Sequence, residues 1–188
     1  MILSDRTIKE YLDEGKIIIE PLDRSNIQPS SVDLRIGDDF RIFRNTKYAF
    51  IDPTKELVDL TEHITATYEV PFILHPGEFA LGTIYERIKL PNNIVGRLEG
   101  KSSLGRLGLL IHSTAGYVDP GWDGYLTLEL SNISNLPILL KPGMLIGQIT
   151  FEQMTTDVDI PYGDSRINSH YQGQVGATPS SPLKERQE

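Results

Sequence analysis

The 188-residue sequence contains no cysteine, and this absence excludes three kinds of chemistry. Disulfide bonds, zinc sites with thiolate ligands and thiol nucleophiles all require the missing side chain. The histidines do not compensate, because the four of them lack the spacing of a metal site; they are His63, His75, His112 and His170. The sequence therefore predicts no metal bound directly by protein side chains.

The sequence also lacks an excess of positive charge, and it has no long apolar run. It has 18 lysines and arginines against 26 aspartates and glutamates, which gives a net charge of −8. A protein that binds nucleic acid or a membrane surface needs a broad basic face, so neither partner is expected. The first residues, MILSDRTIKEYL, resemble neither a signal peptide nor a transmembrane segment. We therefore expect a cytoplasmic protein in which a local cationic pocket holds any phosphate-bearing ligand.

The residues that are present indicate a mainly β protein with one short N-terminal helix. Ser4 is a candidate N-cap, and Gly15 is placed to end the helix. From Lys16 onward, short apolar runs are separated by glycine, proline, asparagine and aspartate, as is typical of β-rich domains. We predict one β domain over residues 1–163, built as a barrel or sandwich. Residues 164–188 form a polar, flexible tail that would be disordered on its own.

Two segments show the two-residue period of strands. Apolar and charged residues alternate from Ser31 to Ile36. In residues 125–130, the three leucines are expected to face inward, with Tyr125, Thr127 and Glu129 on the opposite side. Pro-Gly pairs at 76–77, 120–121 and 142–143 predict tight turns, and the first and last are expected to join type II hairpins. Residues 44–69 have weak periodicity, which indicates an excursion with a short strand or a turn of helix.

The run GKSSLGR, at residues 100–106, combines glycine, hydroxyl groups and positive charge. It is not a P-loop, because Val95 occupies the position of the earlier glycine and no helical segment is expected to follow. Backbone N–H groups near Gly100 and Gly105, together with the charges of Lys101 and Arg106, would suit a polyphosphate. A glycine-rich β-turn with solvated charges explains the same residues equally well, so the spacing leaves both interpretations open.

Three further residues have both a structural and a chemical interpretation. Glu129 lies between leucines, where a glutamate most often faces solvent from a half-buried sheet. Asp119 precedes a Pro-Gly pair and is typical of a turn. His112 follows the apolar run LGLLI and is expected to be packed rather than to bind a ligand. The pattern alone favours the structural interpretation of all three.

Taken together, the motifs closely resemble those of the dCTP deaminases in the trimeric dUTPase superfamily. The resemblance is carried by IQPSSVDLRIGDDFRIF, GKSSLGRLGLLIHSTAGYVDPGWDGYLTLEL, LKPGMLIGQITFE and YQGQVGATPS, which together cover almost the whole chain in the family's order. It implies a dUTPase-like fold, a distorted β-barrel or jelly-roll, and a homotrimer whose active sites are shared between subunits.

The resemblance also implies a nucleotide-binding site. Residues 101–106 would hold the triphosphate, Asp119 would meet the deoxyribose, and residues 127–129 would bind the pyrimidine. The tail would close over the ligand. His170 replaces a phosphate-binding lysine of some relatives, and a neutral imidazole would bind phosphate less well than a protonated one. The implied binding residues are Lys101, Ser102, Ser103, Leu104, Gly105, Arg106, Asp119, Thr127, Leu128, Glu129, Gln148, Tyr162, His170 and Gln174.

The reaction implied is the deamination of dCTP without zinc, since the motif that pairs His-x-Glu with Pro-Cys-x-x-Cys is absent. Glu129 is the candidate general base and then general acid. The segment Ala115-Gly116-Tyr117 resembles that of the dUMP-forming branch, whose members also cleave the dUTP intermediate in the same site. Asp119 would orient the water that attacks the α-phosphate in this second step. Mg²⁺ would be a cofactor bound through the triphosphate, and dTTP is expected as a feedback inhibitor.

Three alternatives compete with this interpretation. The first is a deaminase that releases dUTP. The second is a dUTPase without deamination, although that activity does not need an acid such as Glu129 beside the base. The third is a catalytically inactive trimer that binds nucleotides as a regulator, against which the set Ser102, Asp119 and Glu129 argues.

Overall fold

Short strands dominate the secondary structure, as the sequence predicts. The computed structural model describes residues 1–44, 48–56, 58–112 and 116–183. Helix α1 spans Asp5–Asp13, the single-turn helix α2 spans Ser102–Gly105, and a 3-10 turn spans Arg24–Asn26. The strands are β1 (Ile18–Glu20), β2 (Ile27–Gln28), β3 (Ser31–Phe43), β4 (Thr61–Thr65), β5 (Phe72–Leu74), β6 (Phe79–Lys89), β7 (Ile94–Gly100), β8 (Leu109–Leu110), β9 (Tyr117–Val118), β10 (Asp123–Asn132), β11 (Ile138–Leu140) and β12 (Leu145–Gln153).

Ten of these strands form one curled sheet with the shape of half a barrel. Its order is β8-β10-β6-β3-β12-β7-β9, with β1 added to β6 and both β2 and β4 added to β3. Strands β5 and β11 form a separate two-stranded sheet. The predicted mainly β fold is confirmed. In the described parts of the chain, no helix is both long and apolar enough to cross a membrane.

The N-terminal helix begins and ends where the sequence predicts. Ser4 is the N-cap residue, but its side chain makes no capping hydrogen bond. The Asp5 N–H instead donates to the Pro29 carbonyl at 2.9 Å, which satisfies one of the free backbone donors of the first turn. Gly15 follows the helix with φ of +67°, a conformation that glycine adopts without strain. Ile8 is fully buried and attaches the helix to the core.

Strand β3 connects the two halves of the curled sheet. Its first residues pair with β12, and its later residues pair with β6 and β4. The pairing with β6 shifts between Ile36 and Phe40, which is the signature of a β-bulge. At Gly37 a Cβ atom would lie 2.8 Å from the Thr83 side chain, so the bend requires a glycine. The bulge also carries Asp39.

Strand β10 confirms the predicted alternation. Leu126, Leu128 and Leu130 are buried in the core, while Thr127 and Glu129 are partly exposed on the other face. Antiparallel pairing with β6 continues from Asp123 to Ser131, apart from one irregularity after Tyr125. The buried leucines therefore determine which face of the strand the polar residues occupy.

The Pro-Gly pairs form the predicted turns, but the expected hairpins at 76–77 and 142–143 are wrong. Gly77 and Gly143 have φ of +75° and +86°, as a type II turn requires. However, β5 pairs with β11 rather than with β6, and β12 does not pair with β11. Phe72 of β5 stacks on Phe40 of β3 with ring centroids 4.3 Å apart, which holds the small sheet against the core. The turns at 76–77 and 142–143 therefore lead the chain from the small sheet into the large one.

The weakly periodic segment at 44–69 contains the short strand that the sequence predicts. This strand is β4, which pairs with the second half of β3 from Asp39 to Phe43. Residues 45–47 and 57 of the segment lie outside the described residues.

Candidate active site

A cavity of about 820 Å³ lies beside the polar face of β10. Its walls come from β10, from Asp119 and Trp122 on either side of the Pro120-Gly121 pair, from residues 51–56 and 58–61, and from the C-terminal segment. Several residues that the sequence singled out line it together: Tyr117, Asp119, Thr127, Glu129, Tyr162 and Gln174.

Strand β10 contributes the carboxylate of Glu129 to the cavity. Thr127 and Glu129 are two residues apart on one strand, so their side chains project from the same face. The Glu129 N–H donates to the Ile111 carbonyl at 2.9 Å, which fixes the backbone at this point. Leu128 lies between them with its side chain fully buried, so only its backbone can reach a ligand in the cavity. A ligand in the cavity would therefore face the Thr127 hydroxyl and the Glu129 carboxylate from one side of β10.

Asp119 also lines the cavity, and it lies at the start of a tight turn. Its carbonyl accepts a hydrogen bond from the Trp122 N–H at 3.1 Å, and Gly121 provides the positive φ of +86°. Although the Asp119 side chain is exposed in the single chain, partial burial by the cavity walls raises the pKa of its carboxyl. The carboxylate is available to accept a hydrogen bond from a sugar hydroxyl or from water.

An aromatic pair supports the Asp119 turn. The rings of Trp122 and Tyr162 are 5.5 Å apart, and the Tyr162 N–H donates to the Pro120 carbonyl at 2.9 Å. Burial raises the pKa of the Tyr162 hydroxyl, and the charge of Asp119 adds to this effect. The Tyr162 hydroxyl oxygen accepts a hydrogen bond from the Tyr171 N–H at 3.2 Å.

The C-terminal segment runs alongside β10 and forms another wall of the cavity. The Tyr125 N–H donates to the Gln174 carbonyl, and the Gln174 side chain donates to the Tyr125 carbonyl at 2.6 Å. Further along, the Thr178 N–H donates to the Thr127 hydroxyl at 3.2 Å. These polar contacts give residues 171–183 a defined path on the protein, which their composition alone did not predict.

The GKSSLGR run is a single helical turn rather than a glycine-rich β-turn. Ser102, Ser103 and Arg106 are exposed, whereas the Lys101 ammonium lies 2.7 Å from the buried Asp33 carboxylate. Gly105 is exposed as well, and Leu104 packs partly against the core. None of residues 101–106 lines the cavity of its own chain.

Two other predicted residues also lie away from the cavity. The Gln148 side chain on β12 accepts a hydrogen bond from the Ser31 hydroxyl at 2.9 Å, and Gln148 pairs with Asp33 in the sheet. His170 is exposed beside Tyr171, with ring centroids 6.0 Å apart. Gln148 therefore belongs with Lys101 rather than with Glu129.

The segment that resembles the dUMP-forming branch is partly described. Ala115 lies outside the described residues. The Gly116 carbonyl accepts a hydrogen bond from the Leu98 N–H at 2.7 Å, and a Cβ at Gly116 would lie 2.8 Å from the Leu98 carbonyl oxygen. A glycine is therefore required where the chain enters β9. Tyr117 follows it and lines the cavity.

Sequence reasoning missed several residues of the cavity. Trp122 and Tyr171 lie inside the quoted motifs and were not selected as site residues. Arg41 and the residues at 51–56 and 58–61 were missed because no local pattern shows that strand β3 and the following excursion reach the same cavity. The long-range pairing of β3 with β4 and β6 brings them there.

The charges of the cavity do not suit a polyphosphate. Among the described lining residues, carboxylates outnumber cations: the acids are Asp52, Glu56, Asp59, Asp119 and Glu129, and the bases are Arg41 and Lys55. A triphosphate would be repelled here, whereas a neutral base and sugar would not. No group of three or more metal-binding side chains occurs in the part of the chain that the structure describes.

Comparison with known proteins shows the family of the chain. A family model described as dCTP deaminase-like matches residues 2–154. The chain belongs to the dCTP deaminase-like family. Proteins named dCTP deaminase, dUMP-forming, from Mycolicibacterium vanbaalenii and Mycobacterium bovis are each 54% identical over 180 residues. The protein of that name from Mycolicibacterium gilvum is 55% identical over 180 residues, covering 96% of this chain and 95% of the relative.

Solved structures include a related fold. The crystal structure of a 2'-deoxycytidine 5'-triphosphate deaminase from Agrobacterium tumefaciens superposes with a TM-score of 0.63 at 25% identity. The match covers 81% of this chain, which spans 47% of the length of that chain. In this dCTP deaminase-like protein, the candidate site residues are the cavity-lining acids Asp119 and Glu129 and the exposed hydroxyls of Ser102 and Ser103.

We predict that the ionised carboxyl of Asp119 destabilises the folded protein rather than stabilising the turn. Because burial raises its pKa in the folded state, the ionised carboxyl disfavours folding above that pKa, and the effect disappears below the unfolded value of 3.8. Asp119→Asn should therefore melt at or above the wild-type temperature at pH 7, with the difference shrinking as the pH falls toward 4.

Asp123→Asn is the matched control, since Asp123 lies 2.7 Å from Arg87 and its loss should lower the melting temperature at pH 7. A clear drop in melting temperature for Asp119→Asn at pH 7 would show that its carboxyl has a structural role instead.

Proposed function

We propose that the protein converts dCTP to dUMP by deaminating the cytosine and then cleaving the α–β phosphate bond, releasing ammonia and diphosphate. The observation that carries this proposal is that Glu129 and Asp119 both line one cavity, whose charges suit an uncharged base and sugar. The relatives named dCTP deaminase, dUMP-forming, support the same reaction.

Glu129 performs the deamination in this proposal. Its carboxylate takes a proton from water, and the resulting hydroxide attacks C4 of the cytosine while N3 gains a proton. The protonated amino group then leaves as ammonia, and the C4 hydroxyl gives up its proton to form the carbonyl of uracil. One carboxylate can transfer these protons in turn because it stays within reach of C4 and N3 throughout.

Asp119 acts in the second half of the reaction. Its carboxylate binds the deoxyribose and orients a second water toward the α-phosphate, from which diphosphate leaves. The substrate is a magnesium complex of the nucleotide, in which Mg²⁺ neutralises charge on the departing diphosphate. Because dUTP stays in the cavity between the two steps, free dUTP does not accumulate.

The triphosphate is bound by a neighbouring copy of the chain in a homotrimer. Residues 101–106 do not line their own cavity, and that cavity is acidic. Exposed apolar residues next to the run suit burial against another subunit; they are Leu107, Leu110, Ile133 and Leu136. A shared site would bring the Arg106 charge and the Ser102 and Ser103 hydroxyls of one chain to the cavity of the next. The C-terminal segment, His170 included, would complete the closure, and dTTP would compete for the same site.

Incubation with dCTP and Mg²⁺ tests the reaction. Separation of the nucleotides should show dUMP and diphosphate without accumulating dUTP. An end product of dUTP would instead identify a deaminase that does not cleave the phosphate, and unchanged dCTP would refute the proposal.

Glu129→Gln should slow ammonia release by about 10²- to 10⁴-fold, because the amide cannot accept the proton of the attacking water. The same variant should still cleave added dUTP to dUMP, since that step uses Asp119. Glu20→Gln is a suitable control, because Glu20 is an exposed residue of β1 that pairs with Arg87 and does not line the cavity.

Mixing two inactive variants tests the shared site. Glu129→Gln lacks the base, and Arg106→Ala lacks a phosphate-binding charge. If a site uses both residues from different chains, trimers reassembled from equal amounts should regain about one quarter of the wild-type activity. Activity that stays at the level of the separate variants would show that each chain completes its own site.

A further inference from the structure

We propose that Asp39 and Arg41 of strand β3 are positioning residues, which hold the C-terminal segment in the place where it closes the cavity. The role assigned to them rests on the proposed function, because the segment matters for catalysis only if the cavity binds the nucleotide.

Both backbone polar groups of Ala177 are bound by charged side chains of β3. The Ala177 N–H donates to Asp39 Oδ2 at 3.2 Å, and Arg41 Nε donates to the Ala177 carbonyl at 2.6 Å. Arg41 Nη1 also donates to the Thr61 hydroxyl at 3.2 Å, which braces the guanidinium against β4. Ala177 itself is buried. One residue of the tail is thus bound by a carboxylate on its N–H and a guanidinium on its carbonyl.

Gly176, which precedes Ala177, lets the tail approach the Asp39 carboxylate closely. Gly176 has φ of +72°, and a Cβ atom there would lie only 2.1 Å from Asp39 Oδ2. Gly173 has nearly the same backbone conformation, with φ of +73°, but a Cβ there would meet nothing within 4 Å. A Cβ atom at residue 176, unlike one at residue 173, would therefore push the Asp39 carboxylate away from the tail.

The bulge in β3 explains why Asp39 can reach the tail. The bulge interrupts the pairing with β6 between Ile36 and Phe40, so the strand bends at this point. His63 Nε2 of the neighbouring strand β4 lies 2.8 Å from the other carboxylate oxygen, Oδ1. The Asp39 side chain thus lies between β4 and the tail.

The contact of Ala177 with Asp39 and Arg41 is linked to the cavity through Thr178. The Thr178 N–H donates to the Thr127 hydroxyl, two residues before Glu129 on the same strand. Residues 178–182 then line the cavity, and the Ser181 N–H donates to the Tyr171 hydroxyl at 3.2 Å. Displacing Ala177 from Asp39 and Arg41 would therefore displace both the Thr127 contact and the wall of the cavity.

The two glycines provide a matched experiment. Gly176→Ala and Gly173→Ala introduce the same backbone strain, but only the first places a methyl group against Asp39. Hydrogen exchange of the tail amides is measured in the assembled, ligand-free protein, together with KM and kcat for dCTP. We expect exchange at Ala177 and Thr178 to be about tenfold faster or more in Gly176→Ala than in Gly173→Ala, since a hydrogen bond to a charged group is lost. KM should rise by a similar factor, while amides of β6 and β12 remain unchanged.

Asp39→Ala completes a double-mutant cycle with Gly176→Ala. In that background the carboxylate is gone, so adding Gly176→Ala should change exchange no more than Gly173→Ala does in the wild type. Equal exchange in the two glycine variants, or an undiminished effect of Gly176→Ala without Asp39, would overturn the proposed anchor. Faster exchange with an unchanged KM would overturn its positioning role. Failure of the wild type to turn over dCTP would count against the proposed function alone, because the exchange measurements do not depend on activity.

Discussion

The two-residue period of strand β10 is the constraint on which the candidate site depends. Leu126, Leu128 and Leu130 occupy the core, and their burial leaves a single face for Thr127 and Glu129. A slip of one residue would move all three leucines to the surface at a cost of several kcal/mol, since burying each contributes about 1.5–3 kcal/mol. The hydrophobic effect therefore positions a carboxylate that takes no part in the core.

The second determinant is the separation of charge within one chain. The cavity beside Glu129 is rich in carboxylates, whereas the hydroxyls and cations of residues 101–106 lie outside it. Within that run, the Lys101 ammonium is already paired with the buried carboxylate of Asp33. Arg106 is therefore the exposed cation of the run. A nucleotide triphosphate carries a neutral end and a strongly anionic end, so its two ends match two different surfaces, which a homotrimer would bring together.

Local patterns predicted the parts of the fold that local physics controls. The alternation in β10, the boundaries of α1 and the positive φ values of the Pro-Gly turns all follow from residues a few positions apart. The expected hairpins were wrong because β5 pairs with β11, more than 60 residues further along the chain. No nearby residue signals that pairing, which depends on burying Phe72 against Phe40.

The same distinction applies to the site. Asp119 and Glu129 were identified from the resemblance to the family, and the structure places both at one cavity. The path of the tail was not predictable from its polar composition, because hydrogen bonds to Tyr125, Thr127 and Asp39 hold it rather than an apolar face. The pairing of Lys101 with Asp33 was also missed, since the two residues meet only when β7 and β3 flank β12.

The most direct test is a crystal structure of Glu129→Gln with dCTP and Mg²⁺ bound. In that crystal, the attacking water should lie beside residue 129 and about 3–3.5 Å from the cytosine C4, a distance typical of reacting atoms. The triphosphate should contact Ser102, Ser103 and Arg106 of a neighbouring chain. A base bound away from residue 129, or a triphosphate held only by the chain that binds the base, would contradict the proposed site.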